Sequence, residues 1–95
     1  MTTFNTKLGT NKLVPKSRIW IEGKRLIDAG FTVGKTYYRT AFANAIRLTL
    51  HDDGPYKVSG KGEKPIIDIT GKVVTERFTG EEVTVVYKVG EIEIV

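Results

Sequence analysis

The chain has 95 residues, of which 40% are hydrophobic and 27% charged, the composition of a small folded domain rather than of a disordered segment. No stretch approaches the roughly 18–20 apolar residues of a membrane-spanning helix, and the absence of cysteine excludes disulfides and thiolate chemistry. The first twelve residues lack the apolar core of a signal peptide, so we expect one cytoplasmic domain, 1–95, with no membrane association.

The net charge of +4 is divided unevenly along the chain. Residues 1–48 carry nine basic and two acidic residues, whereas residues 49–95 carry six basic and nine acidic residues. A basic half joined to an acidic half favours one face for a polyanion, such as DNA or RNA, or for an acidic protein surface. A solvated surface of uneven sign is the alternative.

The first elements follow from apolar spacing. Residues 1–17 are polar and turn-rich, and we predict a loose tail at Met1–Thr6 followed by a lead-in. In Arg18–Thr36, isoleucines 19 and 21 alternate with polar residues, as in a half-buried strand. A short helix follows and ends at Gly30, a position typical of a left-handed C-cap.

The rest of the chain predicts further strands. Tyr37–Leu50 is expected to form two strands, and residues 51–65 a connecting loop with one short strand at Tyr56–Ser59. Alternation resumes at Ile66–Ile69, and the chain closes with a hairpin over 83–95.

The sequence of the second half of the chain is similar to that of the first half. Ile19 and Ile21 align with Ile67 and Ile69, and two one-residue gaps extend the match to the end of the chain. The other aligned pairs are Gly23 with Gly71, Lys24 with Lys72, Leu26 with Val74, Phe31 with Phe78, Gly34 with Gly80, Ile46 with Ile92, and Leu48 with Ile94. We interpret this as a tandem duplication, with a basic β-α-β-β unit at 18–50 and an acidic one at 66–95; chance matching of β-rich segments is the alternative.

Neither unit is large enough to bury a core alone, so we expect the two to interleave. The predicted fold class is mainly β with two short helices (β or α+β), arranged as a closed or nearly closed barrel that covers its strand edges.

The first unit resembles the swapped-hairpin superfamily of AbrB and MazE, and within it the SymE-like group. The matching positions are Ile19, Ile21, Gly23, Leu26, Ala29, Gly30, Phe31 and Gly34. A weaker likeness is to the N-terminal module of some cytosine DNA methyltransferases. AbrB and MazE build their barrel from two chains, so the resemblance implies an AbrB-like barrel formed here as an intrachain pseudo-dimer, and a monomer. It also implies a regulator or SymE-like toxin of a mobile element, phage or toxin–antitoxin system.

The family pattern is not fully met. Ile21-Glu22 stands where the relatives have Ile-Pro, and the second unit lacks the Ala-Gly-Phe step, with Arg77-Phe78 instead.

No catalytic constellation is present in the sequence. The segment Gly30–Thr36 is one residue short of a phosphate-binding loop and follows a helix instead of opening one. His51 beside Asp52 and Asp53 lacks the spaced ligand set of a zinc site. We therefore expect no enzyme, no cofactor and no metal.

The basic residues of the first unit are the strongest functional signal. Lys and Arg contacts to phosphates supply most non-specific affinity for nucleic acids, and an outward Trp20 either stacks on an unpaired base or packs against the fold. The predicted nucleic-acid-binding residues are Lys16, Arg18, Trp20, Lys24, Arg25, Lys35 and Arg47. The alternative function is a protein-binding inhibitor or accessory domain acting on a nucleic-acid enzyme, such as a stand-alone relative of the methyltransferase module.

Overall fold

The computed structural model describes residues 1–95 and is mainly β with two short helices, which confirms that part of the fold prediction. The strands are β1 (Thr2–Lys7), β2 (Gly9–Asn11), β3 (Val14–Glu22), β4 (Thr36–Ala41), β5 (Ile46–Leu50), β6 (Tyr56–Lys57), β7 (Ser59–Lys61), β8 (Lys64–Thr70), β9 (Glu82–Lys88) and β10 (Glu91–Ile94). The helices are α1 (Lys24–Asp28) and α2 (Lys72–Thr75).

The strands form two open antiparallel sheets. The larger has six strands in the order β1-β9-β10-β5-β4-β6, and the smaller has four in the order β2-β3-β8-β7. Their apolar faces share one cluster of 18 buried residues, with Phe31 and the isoleucines of both sheets at its centre. Each sheet therefore has one face on this core and one face in solvent.

The prediction of a loose tail at Met1–Thr6 is wrong. Thr2–Lys7 forms β1, which pairs with β9 along its whole length, from Thr2 opposite Tyr87 to Lys7 opposite Glu82. The strand was missed because its residues are polar apart from Phe4 and lie at the sheet edge, so they show no apolar alternation.

The strand register at the centre of the small sheet is symmetric with respect to the repeat. Replacing each residue by the residue aligned with it gives the same pairs. In the β3–β8 pair, Ile19 lies opposite Ile69 and Ile21 opposite Ile67. Exchanging each residue for its aligned partner (19 for 67, 21 for 69) returns the same two pairs. All four side chains are buried, because they occupy the core face of their strands.

The strand register at the centre of the large sheet is also symmetric with respect to the repeat. In the β5–β10 pair, Ile46 lies opposite Ile94 and Leu48 opposite Ile92. Exchanging 46 for 92 and 48 for 94 again returns the same pairs, although the alignment came from sequence alone. The four side chains are fully buried, so a slip of one residue would turn all of them into solvent.

Both helices begin directly after a glycine, and the two glycines are aligned in the repeat. Gly23 has φ 92° and ψ −151°, and Gly71 has φ 95° and ψ −154°, values that L-residues with a Cβ rarely adopt. The Gly23 N–H donates to the Pro65 carbonyl at 3.1 Å, and the Gly71 N–H donates to the Ser17 carbonyl at 3.0 Å. Each helix start is therefore held by the strand of the other half.

The correspondence extends beyond the segments aligned from sequence. The Leu8 N–H donates to the Glu81 carbonyl at 3.0 Å, and the Val58 N–H donates to the Lys35 carbonyl at 2.8 Å. Since Glu81 aligns with Lys35, Leu8 occupies the place of Val58, and β1-β2 is the counterpart of β6-β7. The first unit thus includes residues that the sequence assigned to the lead-in.

One difference between the halves is the length of the outermost strand. β1 covers β9 over six residues, whereas β6 pairs with β4 only at Thr36 and Tyr37. The chain before β6 turns away at Gly54-Pro55, with the Gly54 N–H bonded to the His51 carbonyl at 3.0 Å. A Cβ at Gly54 would lie 2.3–2.5 Å from the backbone of Tyr37.

We expect Gly54→Ala to lower the free energy of unfolding by about 2 kcal/mol, because the added methyl must displace strand backbone. Urea denaturation followed by circular dichroism measures the loss. Gly80→Ala is the matched control, since its Cβ would meet nothing closer than 3.8 Å and we expect a change below about 0.5 kcal/mol. Equal midpoints for the two variants would contradict the close contact at Gly54.

Candidate nucleic-acid interface

The predicted binding residues lie on more than one side of the molecule. Because the sheets pack core to core, their solvent faces point in opposite directions. Arg18 and Trp20 project from the solvent face of the small sheet, on either side of the buried Ile19. Arg47 projects from the solvent face of the large sheet. The seven residues therefore do not form one surface.

Arg18 is held within the protein. Its Nε donates to Asp68 Oδ1 at 2.9 Å and its Nη2 donates to Asp68 Oδ2 at 2.7 Å, a two-bond pair that raises the pKa of Arg18. The guanidinium also lies 5.0 Å from the ring centroid of Trp20. One face of this indole is thus covered, and the Arg18 charge already has a carboxylate partner.

Trp20 also affects the carboxylate of Glu22, two residues further along the same face of β3. A hydrogen bond from its side chain, with a smaller contribution from Lys64, lowers the pKa of Glu22. Lys64 Nζ lies 3.4 Å from Glu22 Oε1. The solvent face of β3 is therefore a self-contained charge network and leaves Trp20 about 40% exposed.

Lys16 and Lys24 also have acidic partners. Lys16 Nζ lies 2.9 Å from Glu81 Oε1, and Lys24 Nζ lies 3.3 Å from Asp28 Oδ1 one helical turn on. Both pairs are solvent-exposed, and such pairs contribute little to stability. The hydrogen bond from Lys16 lowers the pKa of Glu81, with Coulombic attraction to Lys16 the next cause in the same direction.

We expect the Lys16→Met variant to raise the pKa of Glu81 back toward its ordinary value of 4.5. A lowered carboxyl pKa stabilises the fold above the pKa of the unfolded chain, and this contribution disappears as the pH falls through the folded pKa. Side-chain carboxyl NMR over pH 2–6 measures the shift. Glu22 serves as the internal control because Lys16 is not among the causes of its shift; an unmoved Glu81 would contradict the pairing.

Arg25 has no carboxylate within ion-pair distance. Its guanidinium carbon lies 3.7 Å from the ring centroid of Phe4 on β1, a cation–π contact. Arg25, Phe4 and Trp20 line one cleft between β1 and β3, together with Glu22 and Tyr87. This cleft brings together two predicted residues, but Arg25 is occupied by packing.

Arg47 connects the two halves of the large sheet. Its Nε and Nη2 donate to Glu93 Oε2 at 3.2 and 3.1 Å. The guanidinium carbon lies 4.9 Å from the ring centroid of Phe42, which is 41% exposed. Arg47 therefore stands beside an exposed aromatic ring at one end of β4.

Lys35 lies at the other end of β4 and has no acidic partner. It lines a shallow pocket with Lys57, His51 and Asp52. Lys57 also has no ion-pair partner and lies directly opposite Thr36 in the β4–β6 pair. Midway along the strand, Tyr38 is 43% exposed and packs against the His51 ring with centroids 5.1 Å apart.

These residues define a continuous surface, which we call the basic–aromatic face. It is the solvent side of β4, β5 and β6 with the loop before β4, since residues 36, 38, 40 and 42 point away from the core. Its members are Lys35, Tyr38, Phe42, Arg47 and Lys57.

The aligned half of the same sheet face has a different character. Glu81 stands for Lys35, Thr84 for Tyr38, Lys88 for Phe42 and Glu93 for Arg47, and Lys7 is the counterpart of Lys57. One solvent-facing sheet surface is thus basic and aromatic at one end. At the other end the same positions carry two acids, two lysines and no aromatic ring.

Sequence reasoning found Lys35 and Arg47 but missed Tyr38, Phe42 and Lys57. The alternation of Tyr37–Ala41 was sufficient to point Tyr38 and Phe42 outward. Lys57 carried no such signal, because it lies in a two-residue strand and belongs to the acidic half of the chain.

The structure contains no group of three or more His, Cys, Asp or Glu side chains that could hold a metal ion. None of its helices is long and apolar enough to cross a membrane. Comparison with protein-family models, with curated proteins and with solved structures finds no match for this chain.

Proposed function

We propose that the chain is an intrachain pseudo-dimer of the swapped-hairpin type, in which each half completes the other. The reciprocal registers at β3–β8 and β5–β10 support this, as do the crossed hydrogen bonds at Gly23 and Gly71. Two chains of a symmetric dimer would make the same contacts across a two-fold axis.

For its function, we propose a small non-enzymatic module that binds nucleic acid through the basic–aromatic face. The observation that carries this proposal is the contrast across the repeat, where Lys35, Tyr38 and Arg47 are aligned with Glu81, Thr84 and Glu93. Arg47 and Glu93 form an ion pair with each other, so that difference also serves the fold. Lys35 forms no ion pair with Glu81, and a scaffold needs no difference at that position or at Tyr38 and Thr84, which occupy equivalent solvent positions of the same sheet.

The composition of the face favours single-stranded or looped nucleic acid. Lys35 and Lys57 have no intramolecular acid to displace, and their ammonium groups suit phosphate oxygens. Tyr38 and Phe42 expose ring surface between the two basic ends, and exposed aromatic side chains on a sheet stack on unpaired bases. Duplex DNA keeps its bases stacked and is expected to use the lysines alone.

The likeness to the SymE-like group adds a biological setting to the proposal: a regulator or toxin of a mobile element or phage. As a pseudo-dimer, the chain would bind nucleic acid in that setting without a second copy of itself.

The test is a panel of fluorescently labelled single-stranded DNA, single-stranded RNA and duplex DNA, measured by polarisation at 50 and 200 mM salt. We expect single strands to bind best, with affinity falling at least tenfold between the two salt concentrations. Tyr38→Leu should weaken single-strand binding by about tenfold, since base stacking contributes about 1–3 kcal/mol. Trp20→Leu, on the opposite face, is the control and should leave affinity unchanged. No polarisation change with any probe at 50 mM salt would refute the proposal.

The alternative function, a protein-binding inhibitor or accessory domain, is favoured by a different observation. The large sheet has an uncovered strand edge at β4, with unpaired backbone groups. The nucleic-acid proposal uses the solvent face of β4 and not this edge.

A further inference from the structure

The uncovered edge lies along the last four residues of β4, Tyr38–Ala41. β5 pairs with β4 on one side throughout, from Tyr37 to Ala41, but β6 pairs on the other side at Thr36 and Tyr37 alone. From Tyr38 to Ala41 no strand lies on that side. Such an edge presents unpaired backbone groups and is a template for another strand.

Two hydrogen bonds determine which backbone groups face the open side. The Phe42 N–H donates to the Ala45 carbonyl at 2.8 Å, which turns residues 42, 40 and 38 toward β5. The Val58 N–H donates to the Lys35 carbonyl at 2.8 Å, which turns the alternate residues toward β6 and beyond. The N–H and C=O groups of Arg39 and Ala41 therefore point to the uncovered edge.

The opposite edge of the same sheet shows what fills the equivalent place. There β1 pairs with β9 as far as Thr2 opposite Tyr87, a residue aligned with Ala41. The counterpart of this strand segment, Asp52–Pro55, is a turn, because Gly54 packs on the Tyr37 backbone and Pro55 has no N–H to donate. β6 is thus four residues shorter than its counterpart β1 at the opposite edge of the sheet.

Two cationic side chains, Arg39 and Arg77, lie beside the uncovered edge. Arg39 lies on the core-facing side of β4, where its aligned residue is the buried Val85. Its guanidinium carbon lies 4.4 Å from the Tyr56 ring centroid, and no carboxylate is within ion-pair distance. At the far end Arg77, also without an ion pair, donates through Nε to the Phe42 carbonyl at 2.7 Å. Glu76 lines the pocket beside Arg77, so the carboxylates of an added strand are expected to pair at Arg39.

We propose that the β4 edge receives an added antiparallel strand from a partner protein, an acidic extended segment that takes the place β1 has on β9. The backbone groups of Arg39 and Ala41 provide the ladder, and an acidic side chain opposite Arg39 provides the charge partner. A second copy fits less well. Pairing β4 with β4 would bring the Arg39 side chains of both copies to one edge, and β1 carries no acidic residue.

The probe is a synthetic peptide of about eight residues that alternates glutamate and threonine, with a terminal fluorophore for polarisation. We expect saturable binding to the full chain, and none for the same peptide with lysine in place of glutamate. Arg39→Gln should weaken binding at least tenfold. Lys7→Gln removes the same charge at an exposed lysine without an ion pair on β1, at the opposite edge of the sheet, and should leave affinity within twofold.

The backbone contribution is tested separately. Ala41→Pro removes an N–H that faces the open edge and leaves the β4–β5 ladder intact, so the variant should fold, as circular dichroism will check, and lose the peptide. Of two peptides N-methylated at alternate residues, one should fail to bind and the other should bind. The nucleic-acid affinity of Ala41→Pro should be unchanged, which separates this proposal from the previous one.

Three results would overturn the proposal. The first is that the acidic peptide does not bind at 50 mM salt. The second is that its affinity is unchanged by Ala41→Pro and by either pattern of methylation, which would make the attraction purely electrostatic. The third is that sedimentation shows a dimer of the chain that Ala41→Pro dissociates, in which case a second copy occupies the edge.

Discussion

Phe31→Ala is expected to lower the free energy of unfolding by about 4 kcal/mol. Phe31 is fully buried at the point where α1 turns into the first hairpin, and its ring centroid lies 6.0 Å from that of Tyr37. Its N–H donates to the Leu26 carbonyl at 2.9 Å, which ties the helix to the core. A domain of this size has a total stability of about 5–14 kcal/mol, so the variant should retain about 1–10 kcal/mol and unfold at a clearly lower urea concentration.

Urea denaturation followed by tryptophan fluorescence measures this loss, with Phe42→Ala as the matched control. Phe42 is the same residue type but is 41% exposed, and we expect its removal to cost less than about 1 kcal/mol. A Phe31→Ala variant within 1 kcal/mol of the parent would contradict a single core shared by both halves.

The second large effect concerns nucleic-acid binding. The double variant Lys35→Glu/Lys57→Glu should lose at least tenfold in affinity for single-stranded RNA at 100 mM salt. Both lysines lack intramolecular partners and line one pocket, so reversal replaces two phosphate contacts by two repulsions. The slope of log affinity against log salt should fall by about 1.4, the value for two contacts on a single strand.

The control is Lys7→Glu/Lys72→Glu, which changes the net charge equally at two other unpaired lysines. Lys7 is the counterpart of Lys57 on the acidic half of the sheet, next to Glu82. We expect this variant to retain affinity within about threefold. Equal losses in the two double variants would mean that net charge, and not the basic–aromatic face, determines binding.

Much of the fold was predictable because apolar alternation and paired glycines have strong local signals. The alternation at Ile19 and Ile21, repeated at Ile67 and Ile69, predicted the core strands. Gly23 and Gly71 were aligned with each other in the sequence, and the structure places both at helix starts. β1 was not predictable from its own residues, because this edge strand is stabilised by backbone hydrogen bonds to the adjacent strand more than by apolar side chains. Its existence follows from β9, which supplies the ladder.

The site was predicted less well because alternation gives the direction of a side chain but not its neighbour across the sheet. Arg18 and Arg47 do point outward, yet Asp68 and Glu93 from the other half lie beside them. Those contacts depend on a register between segments some 50 residues apart. Lys35 has no acidic partner, and the strand beside its loop contributes Lys57 instead of an acid.

The most direct test of the proposed binding surface is a ¹⁵N–¹H NMR titration of the labelled chain with a short single-stranded RNA. We predict that amide chemical-shift changes concentrate on the basic–aromatic face, at Tyr38 and Thr49, while the amide signals of the aligned Thr84 and Val95 do not shift. Shifts centred on Arg18 and Trp20, or spread equally over both halves of the large sheet, would contradict it.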